Sequence, residues 1–373
     1  MFRYGYVPYA LAALLGVLTL AWTLFAPSAA LVNSIYSGYV YRHIAAVLVP
    51  LSDAVPFSLT GFAALALLVG VPLLVARSWC RRTPTKGGVR RFALLWCWRV
   101  AASSVAVYAL FLATWGANYS RSPLETRLML ETSLATTEEM TDLTLSLAQI
   151  VAEDADAARD PDLAASLRAA QTSLKEVVYD FEGQFVTLPS RVKATPPGLL
   201  MMGGQASGVI SPFFLEAHVD GALPDYTFVA VGLHELAHVA GYSSEAEADF
   251  VAAVAGLRSR DPYVRYSTAL SLFSRFAWRL PGETYRAAYD LLPEVALADL
   301  AERRAVRAKY SPPAPVQKVQ TKVYDSYLRT QGVSAGIQDY GRVANYLASA
   351  RREGLLALPH VVSIRARADV GLE

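Results

Sequence analysis

Along the first third of the chain, hydrophobic positions do not alternate with polar ones but run on. Three apolar stretches, Tyr6 to Ala26, Phe57 to Ala76 and Phe92 to Trp115, are each long enough to span a bilayer as a helix. Arg99 falls inside the third, close enough to one end for its guanidinium to reach the interface. Between the first two, Arg42 and His43 interrupt the pattern. Apolar pieces there, such as Ile44 to Leu51, are too short to cross, which predicts an interfacial segment.

From residue 116 onward the text becomes amphipathic. The run TTEEMTDLTLSLAQIVAED, within Ser122 to Glu153 and its flank, places apolar residues at three- and four-residue spacing and predicts a helix. Thr137 with Met140 does not make a full capping box, but the threonines there can cap. Ala155 to Val178 predicts a second helix, with Asp160-Pro161 as the break. Phe185 to Pro197, rich in Pro, Thr and Arg, predicts a loop. Met201 to Val219 mixes glycines with β-branched and aromatic residues, which suits a short twisted sheet. Pro224-Asp225 opens a helix that runs through Phe228 to Ala240 and stops at Gly241, and Glu245 to Leu257 is the next. Tyr263 to Ala305, Val319 to Leu328 and Gln338 to Glu353 are helical, with a break at Ser311 to Pro315 and a weakly ordered tail after Pro359. The expected architecture is mainly α: a transmembrane region over residues 1–115 and an α+β domain with a small sheet over 116–373.

Charge gives this arrangement a direction. The loop between the second and third spans carries Arg77, Arg81, Arg82, Lys86, Arg90 and Arg91, so it belongs in the cytoplasm and residues 116–373 outside it. The small residues of Ala26 to Ala30 resemble a signal-peptide cleavage site. However, the preceding run is long for a signal peptide and only Arg3 and the terminal amine charge its front, so a retained span is expected. A net charge of +2 and 54% hydrophobic content offer no nucleic-acid patch and point away from an ordinary cytosolic enzyme. Cys80 and Cys97 both precede residue 116, so the outer domain must hold together by its core, without disulfides.

The chemistry concentrates in HELAHVAGYSSEAEADF, His234 to Phe250. His234 and His238 are four apart, which on a helix puts both imidazoles on one face, one turn apart and able to reach a common ion. Glu235 is offset by about 100°, beside the ion, where a carboxylate can take a proton from a water. A catalytic zinc needs a third protein ligand and leaves a fourth position open. Glu245 fits that role. Asp249, on the same face, would accept from the far nitrogen of a ligand histidine and fix its tautomer. Glu247 is the alternative third ligand, although Ser244-Glu-Ala-Glu247 also fits the S-x-x-E pattern in which Glu247 closes a capping box. The plain alternative is an apolar helix with two satisfied core histidines. Against it, the helix is apolar nearly all round and its few polar groups are those a metal site would use. Burying them unpaired would cost several kcal/mol.

The segment resembles gluzincin-type zinc metallopeptidases, with HExxH followed by a helix bearing E-x-x-x-[DN]. It is more closely similar to a bacterial family of multi-pass membrane proteins known only as a domain of unknown function, whose pattern HExAHxxGxxxExEA[ND]F is matched from His234 to Phe250. Trp115 to Arg121, Gly208 to Ala217, Asp261 to Ser267, Tyr324 to Leu328 and Asp339 to Val343 look like its other blocks, so the likeness covers roughly residues 110–350. Asp249 stands where asparagine is common, and His218 follows the block ending in Glu216 and Ala217. The resemblance implies a zincin-like peptidase and names no substrate.

The expectation is therefore a multi-pass protein of the bacterial cytoplasmic membrane whose outer domain hydrolyses peptide bonds through a zinc-activated water. His234, His238 and Glu245 would be ligands and Glu235 the base, acting on a protein or peptide substrate, with the bilayer as the other partner and no nucleic acid. Three other readings compete. An intramembrane protease is disfavoured because the helix is short and its continuation is acidic. A scaffold with a structural zinc lacks a nearby fourth Cys or His. A zinc amide hydrolase acting on cell-envelope material uses the same chemistry. Gly208 to Val219 would supply an edge strand for a bound peptide, against the plainer reading as a core strand. Glu216 and His218 read as structural before cleft-lining. Tyr340, Tyr324 and Tyr266 are oxyanion-donor candidates through the family blocks alone.

Overall fold

The computed structural model describes residues 15–17, 19, 22, 27–81, 88–330 and 342–359. The first expected span (6–26) lies almost entirely outside these residues, as do the centre of the basic loop and the tail after Pro359. The chain divides into two compact units, residues 1–121 with 211–215, and residues 122–210 with 216–373.

In the first unit, a helical run begins at Ala29, passes through a nine-residue π-helical stretch, Val32–Val40, and continues as α1 (Tyr41–Asp53). The segment expected to lie at an interface is thus helical. Two long helices follow, α2 (Leu59–Cys80), capped by Ser58 Oγ accepting from the Gly61 N–H, and α3 (Gly88–Thr114). At 22 and 27 residues they are about 33 and 40 Å long, and both are long and apolar enough to cross a membrane. Each overruns its expected limit into the basic segment, with Arg77 in the last turn of α2 and Arg90 and Arg91 near the start of α3. Arginine is a good helix former whose stem lies along apolar surface while its charge leaves, so charge alone does not end a helix. Tyr36 Oη donates to the carbonyls of Leu112 and Ala113, at 3.2 and 3.0 Å, and Ser37 Oγ donates to Asn118 Oδ1 at 2.8 Å. These bonds fasten the π-helical stretch to the end of α3.

The second unit is a helical assembly with a small sheet. It opens with α4 (Leu124–Leu128) and α5 (Thr137–Glu153). A complete capping box holds the start of α5: Thr136 Oγ1 accepts from the Glu139 N–H, and Glu139 Oε2 accepts from the Thr136 N–H. After a 3₁₀ turn at Ala155–Ala158, α6 (Leu163–Glu182) starts at Asp162, later than the hydrophobic pattern suggested, because Pro161 breaks the helix and the Asp162 side chain caps the new one. The expected loop at 185–197 contains a strand, β1 (Lys193–Thr195), and the expected sheet region begins as a helical turn, α7 (Leu199–Gly204). Then come β2 (Gly208–Ser211) and β3 (Glu216–Asp220), in the order β1-β3-β2, with β1 parallel to β3 and Lys193 opposite His218. Asp220 explains α7: its carboxylate accepts from the N–H groups of Gly198 (2.7 Å), Leu200 (2.9 Å) and Met201 (3.2 Å).

The centre of this unit is a hairpin of α8 (Asp225–Val239) and α9 (Glu245–Leu257). Every residue of α9 is buried, which accounts for its lack of a polar face. The hairpin packs against α6, β3 and α10 (Pro262–Phe276), the last opened by Asp261 as cap with Pro262 at its first position. The remainder is α11 (Gly282–Asp290), α12 (Glu294–Tyr310), α13 (Ala314–Thr330) and α14 (Val343–Arg352).

Candidate metal centre

The end of α8 sets the geometry. Gly241 adopts φ +98°, its N–H bonds to the His238 carbonyl at 2.9 Å, and the Tyr242 N–H reaches back to the Ala237 carbonyl at 3.2 Å. This pair of bonds closes a helix end that needs a left-handed residue, hence glycine. The turn brings the Tyr242 carbonyl over the helix end, where it accepts from His238 Nδ1 at 2.7 Å. With the proton held on Nδ1, Nε2 is left as a lone-pair donor facing inward.

The other two groups are fixed from behind in the same way. His234 Nδ1 lies 2.9 Å from Asp249 Oδ1, an ion-pair contact off the best hydrogen-bond angle, and Asp249 Oδ2 accepts from Arg275 Nη2 at 2.6 Å. Glu245 Oε1 accepts from Tyr324 Oη at 2.6 Å, which leaves Oε2 directed at the histidines. The three inward atoms then stand close together. His238 Nε2 is 3.1 Å from His234 Nε2 and 3.4 Å from Glu245 Oε2, and His234 Nε2 is 3.2 Å from that oxygen. Donors bound at about 2.0–2.1 Å around a tetrahedral ion sit about 3.3–3.4 Å apart, so these atoms match three corners of a tetrahedron. His234, His238 and Glu245 form a cluster that could hold a metal ion.

Charge within the cluster is strongly coupled. Burial works against a charged His234, but Asp249 and Glu245 outweigh it and raise its pKa well above the ordinary imidazole value. Burial likewise opposes a charged Glu245, and the two histidines overcome it, holding the carboxyl well below its usual range. For Glu235 burial wins, and its carboxyl is pushed up to about 7 despite the histidines nearby. Glu235 is 5% exposed and lies under the start of β2. A methyl group on Gly208 would stand 2.5 Å from its Oε1, so the strand approaches the carboxylate as closely as a backbone can.

Glu247 is elsewhere. Two positions beyond Glu245 it is turned by about 200° around α9. There it accepts from the Leu124 N–H at 2.8 Å and from Arg127 Nη2 at 3.1 Å, away from the cluster. Ser244 makes no side-chain cap, so the expected capping box is replaced by this link to α4. Arg127 also pairs with Glu182, which accepts from Tyr242 Oη at 3.0 Å, bracing the turn that presents the Tyr242 carbonyl. On β3, Glu216 and His218 are buried: Glu216 Oε1 takes Lys193 Nζ at 2.6 Å, and Oε2 lies 3.5 Å from His218 Nε2. β2 lies at a sheet edge, as the peptide-binding reading requires. Tyr266 donates to Asp299 at 2.7 Å, Tyr324 backs Glu245, and Tyr340 is outside the described residues.

A family described as "Protein of unknown function (DUF3810)" matches residues 36–348. The chain belongs to this family. No curated protein and no solved structure matches it. The match contains both membrane-compatible helices and the whole His/Glu cluster, so the DUF3810 region and the candidate centre coincide. Sequence reasoning missed Arg275 behind Asp249, Lys193 beneath Glu216 and Arg127 beneath Glu247. Each reaches its partner across at least 23 positions of chain, and no local spacing signals such a pairing.

Proposed function

We propose that this protein is a membrane-anchored zinc metallopeptidase whose second unit works on the extracytoplasmic side. The observation that carries the proposal is the set of three inward donor atoms at tetrahedral spacing, each held from behind by a Tyr242 carbonyl, Asp249 or Tyr324. His234, His238 and Glu245 would hold the ion, and two imidazoles with one carboxylate favour zinc among the common divalent ions. Such an ion supplies Lewis acidity, which polarises a substrate carbonyl and lowers the pKa of a water.

The remaining work falls to the chain. Glu235 is the proton carrier: a carboxyl near pH 7 can take a proton from water and pass it to the departing amine. Asp249 and Tyr324 keep the ligand groups in orientation. β2, at the sheet edge beside Glu235, offers backbone groups along which an extended peptide would align. The basic segment between α2 and α3 keeps that loop in the cytoplasm and puts the catalytic unit outside.

Full-length protein in detergent, offered a quenched-fluorescent peptide library, tests this reading. Wild type is expected to cleave, and Glu235→Gln to lose at least about 10²-fold in rate while keeping its zinc. Cleavage that survives Glu235→Gln would overturn the assignment of Glu235. A zinc-loaded wild type that cleaves envelope amides and no peptide would replace the peptide substrate with the amide.

A further inference from the structure

Beside the C-terminal end of α10, the second unit has a cleft of about 450 Å³ whose lining is dominated by one residue type. Arg275 and Arg279 enter from the end of α10 and the 3₁₀ turn after it, four positions apart. Arg303, Arg304 and Arg307 enter from one face of α12, beside Leu300. Trp278 and Tyr289 complete the apolar part of the wall.

Like charges at this spacing along a helix repel by a few tenths of a kcal/mol per pair, and here two such helical faces meet. The internal compensation is small. Arg275 is paired with Asp249. Arg303 donates to Ser274 Oγ at 2.6 Å, a neutral partner, and Arg279 lies over the Trp278 ring at 5.2 Å. Among the described residues, Arg279, Arg303, Arg304 and Arg307 have no carboxylate in ion-pair contact. Four guanidiniums without carboxylates around one concave site present many N–H donors in rigid planar forks, the geometry that grips phosphate oxygens two at a time. Trp278, 68% exposed, and Tyr289 add a surface for the organic part of a ligand.

We propose that this cleft is a binding site for a phosphate-bearing anion, either a soluble polyphosphate or the headgroup of an anionic lipid. Arg275 belongs both to the cleft and, through Asp249, to the backing of His234, so the occupant sits two side chains from the candidate metal centre. The proposal stands whether or not that centre is catalytic.

The test is calorimetric titration of full-length protein in zwitterionic detergent with inorganic pyrophosphate, then with short-chain phosphatidylglycerol, using short-chain phosphatidylcholine as the neutral control. Wild type is expected to bind at least one of the two anionic probes saturably, more weakly as salt rises. Arg304→Ala with Arg307→Ala should weaken binding by about tenfold or more, and the corresponding double Lys variant by less, because charge survives and the planar fork does not. Pyrophosphate binding that phosphatidylglycerol does not displace identifies a soluble ligand. Displacement by phosphatidylglycerol but not by phosphatidylcholine identifies a lipid headgroup. If thermal melting shows the double Ala variant is unfolded, Arg279→Ala, in the exposed turn, replaces it. Absence of saturable binding by both anionic probes, or equal binding by wild type and a folded variant, overturns the proposal.

Discussion

Gly208 and Glu235 show how finely the centre depends on single residues. Glu235 is buried, and a Cβ at 208 would fall 2.5 Å from its Oε1 and 2.7 Å from both its Cγ and Val231 Cγ1. Both the carboxylate and its Cγ are too close to such a Cβ, so Gly208→Ala must displace the Glu235 side chain. A displacement of about 1 Å of a catalytic group costs on the order of 10²-fold in rate. On the function proposed above, Gly208→Ala is expected to lose peptide cleavage to about that extent with zinc content unchanged from wild type, as read by turnover and metal content on the same preparation; unchanged turnover would mean that the strand does not set the position of Glu235. Much of this scale was legible in the sequence. His234, Glu235, His238, Glu245 and Asp249 lie within sixteen residues, and helical spacing alone places four of them on converging faces. The backing groups were not legible. Tyr324 is 79 residues from Glu245 and Arg275 is 26 from Asp249, and only the folded chain joins them.

At the scale of elements, the centre depends on α8 and α9 keeping their places against α10. Gly256 of α9 faces Thr268 of α10 so closely that a Cβ would come within 2.0 Å of Oγ1 and 2.7 Å of Cβ. Gly256→Ala gains about 1 kcal/mol of helix propensity. The overpacking cost is about 1–3 kcal/mol or more, and the nearest atoms belong to a buried, branched side chain that cannot swing aside. Overpacking should win, lowering Tm in a thermal melt, whereas a raised Tm would show that the helices separate readily. α5 was readable because its capping threonine and hydrophobic period agree, and α8 and α9 because Pro224-Asp225 and Gly241 mark where one helix starts and stops before the next. β1 was not. Three residues in a segment rich in Pro, Thr and Arg become a strand only because β3 is alongside to pair with them, a tertiary cause with no local signature.

Across the molecule, electrostatic ties hold α14 to the start of the second unit. Glu125 accepts from Tyr346 Oη and from Arg342 Nη2. Burial would raise its pKa, but these bonds overcome it and lower the value. Glu139 is lowered first by the Thr136 N–H and then by Arg352, whose Nη1 lies 2.6 Å away. A carboxyl with a depressed folded-state pKa contributes stability above its unfolded value of about 4.3 and loses it as pH falls through the folded value. The second unit should therefore lose stability on acidification below that range, and less steeply in Glu139→Gln. Melting curves between neutral pH and about pH 3 check this, and an identical slope in the variant would remove Glu139 from the account. The membrane-compatible helices were visible in the sequence as long, predominantly apolar runs, although their ends were not, because arginine continues a helix as readily as it leaves the apolar layer.

The central claim is that His234, His238 and Glu245 together hold one ion, and the metal content of purified full-length protein tests it most directly. After reconstitution with zinc and removal of excess, wild type and Glu235→Gln are predicted to carry about one zinc per chain, and His238→Ala and Glu245→Ala to carry almost none. Zinc that stays bound in a folded His238→Ala variant, or is absent from wild type, would contradict the account.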